Sequence, residues 1–236
     1  MKAFRKSGAY AGLVLIIAVF LLPFYIMFYL SLSGPADSIA QEWFPRAMLF
    51  QNFADAWSKA DMGRALMNSL MISIGAIAVL IFCAACGGYA AARVRSRWNR
   101  AVFHVMVLSM MVPGIINTVP LYIIMRKING INSHWAMMLL LACQCLPFSV
   151  FLYEGFIRSM NQSVEEAAVI DGCTKFSAFW RVTFPLLKPI TATVVIMQGV
   201  GIWNNYAQAV FFLSESKLPY TPFGDFHVFS NLRRGL

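Results

Sequence analysis

The chain has 236 residues, of which 59% are hydrophobic and only 12% charged, with a mean hydropathy of +0.66. Soluble domains carry about 25% charged residues, so the composition excludes a soluble globular protein and indicates one embedded in a membrane. The net charge of +9 would suit a nucleic-acid binder if the basic residues formed a patch on a polar domain; here they lie between apolar runs, and no nucleic-acid partner is expected.

In chain order, Lys2, Arg5 and Lys6 precede an uncharged run over 11–32. A hydrocarbon core needs about 20 apolar residues, whereas a signal peptide has an apolar stretch of roughly 7–15. An uncleaved first span is therefore predicted, with residues 1–10 cytoplasmic. Residues 34–63 are polar and aromatic and are expected outside. The second span, 66–92, carries Ala84, Gly88 and Ala92 at a spacing of four, which lets another helix approach closely. Arg93, Arg95, Arg97 and Arg100 follow as the densest basic cluster, a cytoplasmic marker.

The third span, 101–125, contains Pro113, Gly114 and Pro120. Pro113 is expected to kink it, as membranes tolerate where protein or a water-filled cavity covers the freed backbone. Asn117 and Thr118 are candidates for lining a substrate pathway; a kink that only shapes packing is the alternative. Residues 126–133 form an outside turn, and the fourth span, 134–157, returns the chain to the cytoplasm. Glu154 lies near its end, within snorkelling reach of the interface. The fifth span, 190–213, includes Trp203, Asn204, Asn205 and Gln208. Asn204 and Gln208 are four apart, which puts them on one helical face, either bonding neighbouring helices or lining a polar path.

Residues 158–189 interrupt the fourth and fifth spans. Ser163 followed by Glu166 reads as a capping box that starts a short helix, and Asp171-Gly172 can end it through a left-handed glycine. A second short helix is predicted over 174–180, before Pro185 and Pro189 bar its simple continuation. Eleven basic against four acidic residues fall on the side of the N-terminus, a net of +7, and eight against six on the other, a net of +2. That asymmetry has the sign required for a cytoplasmic N-terminus and places the interruption in the cytoplasm.

Five cysteines are an odd set, and four of them, Cys83, Cys86, Cys143 and Cys145, lie in apolar runs. The Cys83/Cys86 pair lacks the second ligand pair of a zinc site; these thiols read as small packing residues. With His104, His134 and His227 scattered, no metal or cofactor is expected on this chain. No GxxxxGK[ST] loop occurs, so any ATP used must be bound by another subunit.

The stretch 163–189 resembles the EAA loop of permease subunits of bacterial ABC importers, whose pattern is EAA, three residues, Gly, nine residues, Ile, one residue, Leu-Pro. Glu166-Ala167-Ala168, Gly172 and Pro185 match at the right spacing, while Val182 and Phe184 replace the usual Ile and Leu. The resemblance implies a coupling helix seated in a cleft of a cytoplasmic ATPase, with Glu165, Glu166, Ala167, Ala168, Asp171, Gly172 and Pro185 as coupling residues and Glu166 facing a basic group. Over about 8–224 the chain is similar to the carbohydrate branch, the maltose-type permeases. Asn68-Ser69-Leu70, Tyr89-Ala90-Ala91-Ala92-Arg93, Pro113, Pro120, Ile170-Asp171-Gly172 and Trp203-Asn204 carry that likeness.

The resemblance further implies an all-α polytopic helical bundle of the type I ABC importer permease fold, in the bacterial cytoplasmic membrane. Its implied partners are a second homologous permease, two copies of an ATPase holding ATP-Mg, an extracytoplasmic solute-binding protein and membrane lipid. The implied function is import of a sugar or oligosaccharide by alternating access, the chain itself not being an enzyme. Five spans are visible where the family has six, and 214–236 reads as an atypical tail. Alternatives are an ABC permease for polyamines or another small solute, an ion-coupled secondary transporter, and a membrane scaffold. A secondary transporter should show intramembrane carboxylates or inverted halves; only Glu154 lies in a span, at its edge.

Overall fold

A computed structural model describes residues 2–34, 44 and 47–213; the tail expected at 214–236 lies outside the described residues. The described residues are helical, with no strand among them. They form two compact units, Met1–Met62 and Gly63–Leu236.

The first unit holds α1 (Lys2–Leu32) and α2 (Gln51–Lys59). Along 12–30 the side chains of α1 are apolar and nearly all exposed. An all-round apolar helix belongs in lipid or against other apolar helices. Its end is tied to α2 by the Asn52 amide, which donates to the carbonyls of Ser31 (3.0 Å) and Ser33 (3.1 Å).

The second unit is built on α3 (Met62–Arg93) and α6 (His134–Ser159). Between them come α4 (Arg97–Ser109), a 3-10 turn (Gly114–Asn117) and α5 (Thr118–Lys127). After α6 follow α7 (Ser163–Ile170), α8 (Lys175–Leu186), α9 (Lys188–Trp203) and α10 (Tyr206–Phe212). Ile72, Leu80, Ala84 and Ala85 of α3 meet Leu141, Val150, Tyr153 and Ile157 of α6 and Val194 and Ile202 of α9 in one core. The small-residue face of α3 makes that approach possible: a Cβ on Gly88 would lie 2.5 Å from Tyr153 Cβ and 3.0 Å from the Glu154 amide nitrogen. The Tyr153 and Thr191 hydroxyls, 2.8 Å apart, join α6 to α9.

Among the described residues, three helices are long and apolar enough to cross a membrane, Gly12–Leu32, Met62–Arg93 and His134–Ser159, or four if the bent pair Lys175–Leu186 and Lys188–Trp203 forms one span. The third and fifth predicted spans are interrupted rather than continuous. In the third, α4 stops at Ser109, four residues before Pro113, where the proline ring would strike the Ser109 carbonyl of a continuing helix. Val112 N–H turns instead to that carbonyl at 3.2 Å. Pro120 sits in the first turn of α5, where its missing N–H has no intrahelical partner to lose. In the fifth, the chain leaves the helix at Asn204 and Asn205. Asn205 caps α10, its side-chain oxygen accepting from Gln208 N–H at 3.2 Å. Asn204 and Gln208 therefore do not share a continuous helical face.

Candidate functional site

The cytoplasmic interruption predicted at 158–189 is two short helices joined by a tight turn. Contrary to the capping-box expectation, Ser163 is the first residue of α7 and its hydroxyl makes no cap. Gln162 already has helical dihedrals (φ −67, ψ −22), so the turn begins one residue early. The amides of Glu165 and Glu166 bond the Gln162 carbonyl at 3.0 and 3.1 Å, and Asn161 Oδ1 accepts from Ser163 N–H at 3.1 Å. The end of α7 follows the sequence closely. Gly172 has φ +92, its N–H bonds the Val169 carbonyl (3.1 Å), and Cys173 N–H bonds the Ala168 carbonyl (3.0 Å). This pair of bonds is the Schellman closure that glycine permits.

Thr174 caps α8, its hydroxyl accepting from Ser177 N–H at 3.2 Å. The helix runs past the predicted limit of Trp180 through a π-helical turn, Phe179–Thr183, to Leu186. Pro189 sits in the first turn of α9, where proline is tolerated, and Pro185 follows the π-helical turn near the end of α8. The break falls at Leu187, with a 68° bend between α8 and α9.

The acidic residues of α7 point to opposite sides. Glu166, Ala167, Asp171, Gly172 and Pro185 are exposed, Ala168 is buried, and Glu165 is 8% exposed. Arg93, at the end of α3, holds one Glu165 oxygen through Nε (3.1 Å) and Nη2 (2.9 Å). The Tyr89 hydroxyl donates to the other at 3.1 Å, and Arg93 Nη2 also donates to the Met160 carbonyl at 3.3 Å. Among the predicted coupling residues, Glu165 is thus turned toward the protein. The Tyr89 ring packs at a tilt of 52° against Phe179, with centroids 4.7 Å apart. Beside this cluster lies a cavity of about 810 Å³, lined by Tyr89, Arg93, Glu165, Phe176 and Trp180 among others.

The sequence marks Arg93 only as a charge beside the membrane. Its pairing with a residue 72 positions away leaves no local signal beyond the four-residue spacing that puts Tyr89 and Arg93 on one face of α3. Glu154 does not snorkel outward. It is 6% exposed, and Arg158 reaches back to it at 2.9 Å.

The residues predicted for a substrate path fall into two groups. Gln208 is buried; it accepts from the Asn205 amide (3.0 Å) and donates to Gln144 Oε1 (2.6 Å) on α6. Gln144 has no part in the sequence-based expectation, although an amide within an apolar run is a visible signal. Trp203 is half-buried and Asn204 exposed. Asn117 is exposed and Thr118 half-buried, on a separate element at the start of α5.

Residues 84–224 match the family described as "Binding-protein-dependent transport system inner membrane component". The chain is similar to the melibiose/raffinose/stachyose import permease protein MelC of Bacillus subtilis, 37% identical over 84% of this chain and 72% of that protein. It is 31% identical to the diacetylchitobiose uptake system permease protein NgcG of Streptomyces coelicolor, over 66% of this chain and 52% of that protein. Its fold is like that in the crystal structure of a bacterial ABC transporter involved in the import of the acidic polysaccharide alginate. That match has a TM-score of 0.73 and 20% identity, and covers 100% of this chain and 87% of that one.

Proposed function

The chain belongs to the binding-protein-dependent transport system inner membrane components, and from that premise we propose that it is the permease subunit through which an ATP-driven importer passes a sugar or oligosaccharide. The relatives named above for sugars support that cargo. Family membership brings an ATPase and a solute-binding protein as partners; a second homologous permease, two ATPase copies with ATP-Mg, and a cytoplasmic N-terminus complete the proposed assembly. Five spans, with residues 158–189 facing the cytoplasm, are the topology proposed for it.

One observation carries the coupling role: α7 turns Glu166, Ala167 and Asp171 outward on a short helix closed at both ends by hydrogen bonds. Such a helix can seat in another protein's cleft as a rigid body. When the ATPases close on ATP, the seated loop moves with them, and the helices joined to it turn the pathway from one side of the membrane to the other. Glu166 supplies the charge that a basic group of the ATPase meets. The amides of Asn205 and Gln144, respectively half-buried and exposed beside the buried Gln208, offer the cargo polar partners, as sugar hydroxyls require.

Co-purification tests the assembly, and a tagged chain that brings down no ATPase refutes it. With raffinose as the uptake probe, Glu166→Lys should abolish ATP-coupled uptake while the chain still inserts into the membrane. Unchanged uptake would remove Glu166 from the coupling face.

A further inference from the structure

The loop is joined through the backbone to α6 at one end and to α9 at the other; nothing covalent joins it to α3, the longest helix of the second unit. The cavity of about 810 Å³ is lined by residues of α3, α7 and α8, so the apolar packing of α7 on α3 is incomplete. The second loop helix, α8, reaches α3 through the ring pairs Tyr89–Phe179 (centroids 4.7 Å) and Phe82–Trp180 (5.6 Å), whereas the hold on α7 is polar and directional. Arg93 is the last residue of α3. Its guanidinium grips a single Glu165 oxygen twice and the Met160 carbonyl once, while Tyr89, one turn back, holds the second Glu165 oxygen. The Arg93 and Glu165 side chains are only 13% and 11% exposed, so the pair is shielded from the water and salt that weaken surface ion pairs.

The placement of Met160 matters as much as that of Glu165. Met160 has extended dihedrals (φ −75, ψ 142) and forms the link between α6 and α7. A loop hinged there could swing without moving the bundle. Because one guanidinium bonds the carbonyl of the link residue and the first turn of α7, it restrains the hinge and fixes α7 to α3 at once.

We infer that Arg93, supported by Tyr89, is a positioning residue whose clasp on Glu165 makes α3 follow the coupling loop as one rigid piece. This rests on the coupling reading of residues 158–189. Through α3, about 48 Å long at 1.5 Å per residue, displacement at the cytoplasmic loop reaches the opposite face of the membrane without a chain of side-chain rearrangements. Lysine at position 93 would keep the charge but not the fork that reaches two acceptors.

The test uses the full chain in its assembled transporter, with the native cysteines replaced and spin labels at Val164 on α7 and Met71 on α3, both exposed. Distances between the labels are recorded without nucleotide and with a non-hydrolysable ATP analogue. In the otherwise unaltered chain the distance should hold its mean in both states. In Arg93→Lys it should shift with nucleotide by about 1–2 Å, the size of helix displacements at packed interfaces, and its distribution should broaden. Tyr89→Phe, which removes one hydroxyl, should broaden it in the same direction and carries the test should Arg93→Lys fail to assemble. The charge exchange Arg93→Glu with Glu165→Arg should restore a nucleotide-independent mean, which loss of folding would not allow. Distributions in Arg93→Lys and Tyr89→Phe identical to those of the unaltered chain in both states overturn the inference, as does a nucleotide-dependent distance in the unaltered chain. A chain that recruits no ATPase refutes the coupling reading instead, and is seen at purification.

Discussion

Replacing Gly88 by alanine tests the central contact of the bundle. The added Cβ would lie 2.5 Å from Tyr153 Cβ, 3.1 Å from Tyr153 C and 3.0 Å from the Glu154 amide nitrogen. Non-bonded carbons rest about 3.5–4.0 Å apart, so α3 and α6 must separate by about 1 Å at this point. Two of the three neighbouring atoms are backbone and the third is a Cβ, so no rotamer change relieves the clash. Overpacking of this kind costs about 1–3 kcal/mol. At Gly155, on α6, an added methyl would have no neighbour within 4 Å; alanine there should be neutral or gain up to about 1 kcal/mol from helix propensity. For a chain of this size, a kilocalorie moves the melting temperature by about 2–4 °C. Melting of the purified chain in detergent, followed by tryptophan fluorescence, should therefore show Gly88→Ala lower by roughly 2–12 °C and Gly155→Ala unchanged or higher. Equal melting temperatures for Gly88→Ala and the parent chain would refute the close approach of the two helices.

Gly172 should be restrictive for a different reason, because its φ of +92 costs an L residue about 1–2 kcal/mol. Gly172→Ala should lower ATP-coupled sugar uptake, and Gly172→Pro, which also removes the N–H bonded to Val169, should abolish it with insertion intact by membrane-fraction immunoblot. The Gln144–Gln208 bond predicts non-additivity. Gln144→Leu or Gln208→Leu alone should destabilise by about 1–2 kcal/mol, while the double variant, leaving no amide of the pair unmatched, should cost less than the sum of the two in thermal melts.

Much of this architecture is legible in the sequence because membrane helices announce themselves by length and apolarity, and helix ends by glycine and threonine. The spans at 66–92 and 134–157 coincide with α3 and α6 to within a few residues, and the Ala84/Gly88/Ala92 face marks where α6 packs. The turn at Asp171-Gly172 is local chemistry, and it is found where the sequence puts it. Three features are not legible. The capping of α7 moves to Asn161 because the dihedrals of one residue, Gln162, decide which side chain faces the free amides. The break at 204–205 depends on Asn205 preferring a cap bond to Gln208 N–H over continuation of an apolar helix, a balance that a hydropathy window does not register. The Arg93–Glu165 pair is tertiary: two charges far apart in sequence, each with a sufficient local explanation, one as a topology marker and the other as part of a loop motif.

The corner at Leu187 gives the loop a mechanical character of its own. Leu187 is fully buried; its N–H is held by the Phe184 carbonyl (3.1 Å) and its carbonyl by Thr191 N–H (2.8 Å). Two stiff arms, α8 and α9, leave it at 68°. An angled rod pinned at its corner works as a bell crank: a push across one arm emerges as a sideways sweep of the other. Motion of α8 about this corner would accordingly swing α9, carrying the far end that bears Trp203. The two prolines beside the corner, Pro185 and Pro189, stiffen the crank on either side of its pivot.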